Sequence, residues 1–89
     1  MKVELFGMAR ALAGVSQVEL ALDEPVTLPD FLRSLGEAVP ALVPDVITAA
    51  HDAFVEPNLL LLDGRRAPTD GETFGDADHP CVLFLASGG

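Results

Sequence analysis

Cysteine, basic residues and long apolar runs are all scarce in this 89-residue chain. Cys81 is the only cysteine, so no disulfide can form within the chain. This excludes the disulfide-stapled class of small secreted domains and favours a reducing, cytoplasmic setting. No apolar stretch approaches the ~20 residues that span a bilayer, and the first residues show no signal region. The sequence therefore predicts a cytoplasmic protein with no membrane partner.

Basic side chains are outnumbered by acidic ones, five to fourteen, which gives a formal net charge of -9. Phosphate contacts need clustered Lys and Arg side chains, so we expect no nucleic-acid partner. The acidity can steer the protein toward a basic partner surface. Solubility, or adaptation to a salty cytoplasm, is the simpler explanation.

Motifs for catalysis or metal binding are also missing. His51 stands in no recognisable triad, and no glycine-rich loop with Lys-Ser/Thr is present to bind phosphates. Asp76, Asp78, His79 and Cys81 offer one cysteine and one histidine, whereas zinc sites of known type repeat paired ligands. We therefore expect no metal, no bound cofactor and no active site of the protein's own.

The composition is that of a folded protein, with 49% hydrophobic and only 21% charged residues. A chain of this length builds one small core. We predict a single domain over residues 1–89, of which residues 86–89 form a mobile C-terminal tail because their small side chains cannot anchor them.

Two alternating segments open the chain. Residues 2–8 place Val3 and Leu5 on one face and Phe6 on the other, which is the period of a half-buried strand. Residues 15–22 alternate in the same way. The two segments predict an antiparallel hairpin.

A helix is predicted next by four apolar residues at helical spacing, namely Leu28, Phe31, Leu32 and Leu35. Thr27 and Asp30 form a variant of the capping box at its start, and Pro29 is tolerated in the first turn. Gly36 and Pro40 mark its end.

The second half of the chain carries shorter patterns. The spacing of Val43, Ile47, Ala50 and Phe54 predicts a second short helix that opens near Pro44. Residues 58–62 read as a strand closed by a tight turn at Asp63-Gly64, with residues 65–67 returning. A polar loop covers residues 68–80. Residues 81–85 are apolar on both faces, which is typical of an interior strand that can pair in parallel with the first.

This order of elements excludes a helical bundle and a simple sandwich. It predicts an α+β fold in which a mixed sheet of about five strands packs on one main helix.

The chain ends with four small residues, Ala86-Ser87-Gly88-Gly89. Two terminal glycines arise by chance in about 0.5% of chains, because glycine makes up about 7% of residues. Glycine lacks a Cβ, so an extended Gly-Gly backbone can enter a narrow channel and place the Gly89 carboxylate beside ATP. Conversion to an acyl adenylate then supplies a leaving group for attack by sulfur or nitrogen.

The chain resembles the MoaD and ThiS family of ubiquitin-like sulfur carriers. The resemblance lies in the strand order, in the ending Ser87-Gly88-Gly89 and in the opening Val3-Glu4-Leu5-Phe6-Gly7-Met8-Ala9-Arg10. Within that family the chain is more similar to MoaD, the small subunit of molybdopterin synthase. The resemblance covers essentially the whole chain and implies a β-grasp fold.

The resemblance also implies a reaction cycle and its partners. An E1-like enzyme of the MoeB/ThiF type uses ATP to adenylate the Gly89 carboxylate. A sulfurtransferase or cysteine desulfurase converts the adenylate to a thiocarboxylate, and an acceptor enzyme, such as the molybdopterin synthase large subunit, takes the sulfur. The carrier itself binds no cofactor.

Beside the reacting pair Gly88-Gly89, the resemblance implies that the tail residues Ala86 and Ser87 are bound by the partner. It also implies an apolar docking surface formed jointly by Phe6, Met8 and Phe84, with Arg10 as either a docking charge or a solvated one. In the alternative interpretation the helical segments cover that face, and Phe6 and Phe84 belong to the core.

Other functions remain open at this point. The sulfur acceptor can belong to thiamine, cysteine, tRNA thiolation or secondary metabolism. Gly89 can instead be joined to lysines of target proteins, in which case Lys2, the only internal lysine, limits self-conjugation. A plain interaction domain with an inert tail is the third possibility.

Overall fold

The computed structural model describes residues 1–84, and residues 85–89 lie outside the described part. It contains two helices, α1 at Gly7–Ala13 and α2 at Leu28–Ala38. Its six strands are β1 at Lys2–Leu5, β2 at Gln17–Glu19, β3 at Val26–Thr27, β4 at Asn58–Leu61, β5 at Thr73–Phe74 and β6 at Cys81–Phe84.

Four of these strands form the main sheet, in the order β2-β1-β6-β4. Strand β1 pairs antiparallel with β2 and parallel with β6, while β4 pairs antiparallel with β6. The predicted hairpin and the predicted parallel pairing of the first and last strands are both confirmed. The other two strands, β3 and β5, form a separate two-stranded ribbon.

The inner face of the main sheet packs against α2. Val3, Leu5 and Val82 of the sheet are fully enclosed, as are Phe31 and Leu35 of the helix. The Phe31 ring meets Phe74 of β5 edge-on, with 5.5 Å between ring centroids. The core therefore joins the sheet, the main helix and the small ribbon.

The main helix begins as the sequence predicts. The Asp30 backbone N–H donates to Thr27 Oγ1 at 3.4 Å, and Pro29 occupies the first turn, where its missing N–H is not needed. The helix continues through Gly36 to Ala38. A Cβ at Gly36 would lie only 2.8 Å from His51 Nδ1, so glycine is what lets the His51 ring pack there.

The prediction of one strand over residues 2–8 is wrong beyond Leu5. Gly7 adopts a φ of 60°, which ends the strand direction, and α1 starts at that residue. Only Ala9 of α1 is buried. A helix that buries one alanine leaves no apolar periodicity in the sequence, so its pattern could not reveal it.

The predicted helix at residues 43–54 is also wrong. After a short 3-10 turn at Pro40–Leu42, the chain forms turns in which Ile47 pairs with Phe54 in a single antiparallel bridge. The Thr48 N–H donates to the Ala53 carbonyl oxygen at 3.0 Å. The apolar spacing arises because Ile47 is buried from a loop and not from a helix face.

The turn predicted at Asp63-Gly64 is confirmed, since both residues have positive φ, 55° and 66°. In place of the predicted return strand at residues 65–67, the structure has one bridge, between Leu62 and Arg66. Arg66 then donates from two guanidinium nitrogens to the Glu72 carboxylate at 2.8 and 2.6 Å. This bidentate ion pair joins the segment after the Asp63-Gly64 turn to the residue before β5.

The loop predicted at residues 68–80 contains two elements that the sequence pattern did not reveal, strand β5 and a 3-10 turn at Asp76–Asp78. The Asp76 carboxylate accepts from the Lys2 backbone N–H at 2.7 Å, and the Asp76 N–H donates to Glu24 at 2.6 Å. The first contact ties the loop to the start of β1, and the second ties it to the segment before β3. Neither helix within residues 1–84 is long and apolar enough to cross a membrane.

Two phenylalanines in opposite surroundings provide a test of this core. Phe31 is fully buried, whereas Phe84 is 41% exposed. We expect Phe31→Ala to lower the free energy of unfolding by about 3–5 kcal/mol, because it opens a cavity, and Phe84→Ala to lower it by about 1 kcal/mol or less. Urea unfolding followed by circular dichroism measures both. Equal losses in the two variants would contradict the packing described.

Candidate functional site

The tail residues predicted to react or to be bound, Ala86, Ser87, Gly88 and Gly89, lie outside the described residues. Their predicted roles stay predictions. The last described residue, Phe84, is the end of β6. Strand β6 lies between β1 and β4 and is therefore an interior strand of the sheet.

The end of β6 is bordered by α1. A Cβ at Gly7 would lie 3.7 Å from Phe84 Cβ and Cδ1, so the Phe84 side chain rests against the backbone at the start of the helix. Arg10 follows one helical turn after Gly7 and is exposed. Phe84 and Arg10 thus both lie at the end of β6.

The face of the main sheet opposite α2 is open. Since side chains alternate along a strand, Phe6 and Leu83 both project from this outer face, and the register Leu5–Val82 makes them neighbours. The Leu83–Leu59 pairing places Leu59 next in line on β4. On the other side, the Leu5 N–H donates to the Ser16 carbonyl oxygen at 2.9 Å, which brings Val15 beside Phe6.

These four side chains, Val15, Phe6, Leu83 and Leu59, form what we call the apolar row. It crosses all four strand positions at the end of the sheet where β6 stops. Phe6 is 44% and Val15 47% exposed, while Leu59 and Leu83 are half-buried. Exposed large apolar side chains that form a contiguous group are typical of interaction surfaces.

Next to the apolar row, the outer face carries a groove with a mostly apolar lining. An open groove of about 470 Å³ lies between Phe6, Leu61, Cys81 and Leu83. Glu4, Asp63 and His79 also line it. The outer face thus combines an apolar floor with two carboxylates, a combination that fits a partner segment with apolar and basic side chains.

The Cys81 thiol at the floor of this groove is 8% exposed. Burial, and then the negative charge of Glu4, raise the pKa of the thiol, because both disfavour the thiolate. A thiol held protonated is a poor nucleophile. Within residues 1–84, no three His, Cys, Asp or Glu side chains are grouped to hold a metal ion.

The predicted joint surface of Phe6, Met8 and Phe84 needs correction. Met8 belongs to α1 and not to the first strand, and Phe84 lies on the Val82 side of the alternation in β6. The residue that joins Phe6 on the outer face is Leu83. Sequence reasoning missed Leu83, Leu59 and Val15, although the parallel register of β1 and β6 would have indicated Leu83.

The alternative prediction, that helical segments cover the face that carries Phe6, is wrong for the described residues. Helix α2 packs on the inner face, and Phe6 stays exposed. The roles of Phe6, Arg10 and Phe84 in binding remain predictions.

Comparison with solved structures identifies the fold. The crystal structure of SAMP1 from Haloferax volcanii is similar to this chain with a TM-score of 0.77 and 27% identity, over 99% of this chain and 97% of that one. A crystal structure of H. volcanii small archaeal modifier protein 1 gives a TM-score of 0.76 and 25% identity, over 96% and 95%. The chain has the ubiquitin-like β-grasp fold. No protein-family model and no curated protein matches the sequence.

The enclosed Cys81 thiol leads to a prediction about its reactivity. We expect iodoacetamide to alkylate the folded protein slowly at neutral pH, and much faster in urea, where burial is lost. Because the pKa is raised, the alkylation rate should climb only at higher pH than for a free cysteine. Glu4→Gln should move that pH profile toward lower pH. Fast alkylation of the folded protein at neutral pH would show that the thiol is accessible.

Proposed function

We propose that this protein is a ubiquitin-like sulfur carrier whose reacting group is the carboxylate of Gly89. The observation that carries the proposal is the position of β6, an interior strand that ends beside the apolar row and continues into Ala86-Ser87-Gly88-Gly89. A partner that binds the row is then close to the tail. The similarity to structures of a small archaeal modifier protein supports the same kind of role.

The chemistry uses the tail and the partners. The Gly89 carboxylate attacks the α-phosphate of ATP in an E1-like enzyme of the MoeB/ThiF type, and pyrophosphate leaves. A sulfur nucleophile from a sulfurtransferase or cysteine desulfurase attacks the acyl carbon, so that a C–S bond forms and the C–O bond to AMP breaks. If the nucleophile is a persulfide, a further thiol cleaves its S–S bond to release the thiocarboxylate.

In this scheme, the folded body of the protein binds the partner and presents the tail to it. The protein brings no nucleotide site, and the carrier acts as a co-substrate of its partners. The apolar row and the groove provide the surface, and the two carboxylates that line the groove, Glu4 and Asp63, favour a partner with basic residues. Phe84 and Arg10 border the start of the tail.

For the destination of the sulfur we propose molybdenum cofactor biosynthesis, with this chain as the small subunit of a molybdopterin synthase and the large subunit as acceptor. The basis is the similarity of residues 3–10 and of the tail to MoaD. Thiamine, cysteine, tRNA thiolation and secondary metabolism are the alternative destinations. Co-purification of the endogenous acceptor with the full chain decides among them.

The thiocarboxylate can be measured directly. We expect intact-mass analysis of the protein, after incubation with its E1-like partner, ATP, a cysteine desulfurase with cysteine and a thiol reductant, to show a gain equal to the difference between one sulfur and one oxygen atom. Gly89 deletion should abolish the gain, since the adjacent Gly88 carboxylate is one residue short of the catalytic centre. Persistent absence of the gain, while the partner releases pyrophosphate and the sulfur donor is active, would refute the carrier role.

A second function, attachment to target lysines through Gly89, is favoured by the similarity to structures of a small archaeal modifier protein. It predicts branched peptides on other proteins. Arg66 is the last basic residue before the tail, so trypsin leaves residues 67–89 on the acceptor lysine instead of a Gly-Gly remnant. Finding that branch on target proteins, in place of the thiocarboxylate, would replace the carrier role with the modifier role.

The docking surface predicts unequal effects of two similar substitutions. Phe6→Ser removes the centre of the apolar row, and we expect the affinity for the E1-like partner to fall about tenfold or more, as for a buried apolar anchor. Leu12→Ser removes a comparably exposed apolar side chain of α1, 37% exposed against 44% for Phe6. It should leave the affinity nearly unchanged.

Binding to the purified partner by calorimetry provides the measurement, and urea midpoints show that both variants remain folded. Equal weakening by Phe6→Ser and Leu12→Ser would mean that the outer face of the sheet is not the docking surface.

A further inference from the structure

We propose that the free edge of strand β2 and the acidic groove beside it form a second interaction surface, which binds an extended basic segment of another protein by strand addition. This surface lies at the edge of the sheet, whereas the apolar row lies on its outer face. A segment added to β2 would therefore leave the outer face open to the partner proposed above.

The backbone of β2 turns its hydrogen-bonding groups alternately toward β1 and away from it. Met1 and Leu20 exchange two hydrogen bonds, of 2.7 and 2.8 Å, so the groups of Leu20 face β1. Because the direction alternates along an antiparallel strand, the N–H and C=O groups of Glu19 and Gln17 face away from β1. Within residues 1–84, no other strand pairs with that side of β2.

These outward groups have the spacing that strand pairing uses. Gln17 and Glu19 are two positions apart, which is the repeat of a β-ladder, and both residues are exposed. An extended segment that lies along β2 can therefore exchange hydrogen bonds with both residues. This is the geometry of recognition by strand addition.

The edge continues into an open groove of about 390 Å³, which we call the edge groove. Residues 21–23, which follow β2, form one wall, and helix α2 forms the other. Leu22 and Val26 make the lining partly apolar. Since α2 packs on the inner face of the sheet, the side chains that an added strand projects on that face would point toward the edge groove.

Carboxylates dominate the polar part of the edge groove. Asp30, Arg33 and Glu37 lie at helical spacing on the α2 wall, and Asp23 lies on the opposite wall. Arg33 forms an ion pair with Asp30. Asp23 and Glu37 have no ion-pair partner among residues 1–84. These two carboxylates favour lysine or arginine in the bound segment.

The other charges near the edge do not change this preference. Glu19 pairs with the Met1 α-amino group at 3.0 Å, so the pair adds no net charge. Lys2 alternates with the buried Val3 and therefore projects on the outer face, away from the edge groove.

A second copy of this chain is disfavoured as the occupant. Each copy carries a formal net charge of -9, so two copies repel each other. The chain also has only five basic residues to offer to the carboxylates of the edge groove. The occupant that fits is a segment of a different protein, rich in basic residues.

The probe is a synthetic peptide, acetyl-Thr-Arg-Thr-Val-Thr-Arg-Thr-amide. Threonine and valine favour the extended conformation, in which the arginines and the valine share one face. The control peptide has glutamate in place of both arginines. Binding to the isotope-labelled full chain is followed by the shifts of its amide resonances in NMR spectra, at peptide concentrations up to about 5 mM.

We expect the arginine peptide to shift the amide resonances of Glu19 and Asp23 more than those of β4, at the other edge of the sheet. The glutamate peptide should leave all of them unchanged. Gln17→Pro removes one edge N–H, and proline is tolerated there because that N–H faces away from β1. It should weaken binding about fivefold, as for one lost hydrogen bond, whereas Gln17→Ala keeps the N–H and should bind within about twofold of the wild type.

A second pair of variants tests the charge of the edge groove. Glu37→Gln should weaken binding of the arginine peptide about threefold, as for one exposed ion pair. Glu56→Gln, a matched change in the segment before β4, should leave binding unchanged. Urea midpoints show that the variants are folded. If Gln17→Pro is unfolded, two peptides N-methylated on alternate residues replace it, because only one of the two sets faces β2 and only that peptide should lose binding.

Absence of shifts up to the highest concentration, or equal shifts with the glutamate peptide, would overturn the inference. Equal weakening by Gln17→Pro and Gln17→Ala, or by Glu37→Gln and Glu56→Gln, would overturn it too, and so would a dimer in light scattering that Gln17→Pro dissociates, since a second copy would then be the occupant. The test uses neither an activated Gly89 nor an E1-like enzyme, so its failure leaves the proposed carrier function to its own mass measurement.

Discussion

The parallel pairing of β1 with β6 is the interaction on which the rest of the structure depends. It joins the first strand to the last at the centre of the sheet, with Glu4 opposite Cys81 and Leu5 opposite Val82. Parallel neighbours require a long crossover, and here that crossover contains α2, which covers the inner face. The pairing therefore places the core between the sheet and α2, and it leaves the outer face of the sheet open.

The same register organises the functional surface. It brings Phe6 beside Leu83 in the apolar row, and it places the end of β6 next to Gly7 and α1. The proposed docking surface and the position of the last described residue, Phe84, are thus two consequences of one strand alignment.

Parts of this architecture were predictable because they depend on local periodicity. The helix at Leu28–Ala38 buries a full apolar stripe, so its spacing is visible in the sequence. The turn at Asp63-Gly64 needs two positive φ values, which that dipeptide tolerates. Helix α1 was not predictable, since a helix that buries only Ala9 shows no stripe. The opposite case is the helix wrongly predicted at residues 43–54. There the apolar residues have helical spacing, but they belong to a loop.

The sequence by itself determined the chemistry proposed for this protein: the Gly88-Gly89 ending, the near absence of lysine and the lack of catalytic motifs are properties of composition and order. Only the tertiary structure decided which residues form the proposed docking surface. Leu83, Leu59 and Val15 become neighbours of Phe6 through hydrogen bonds between strands that are distant in the chain. Such neighbours leave no periodic signal, because the register between strands is set by how the whole core packs.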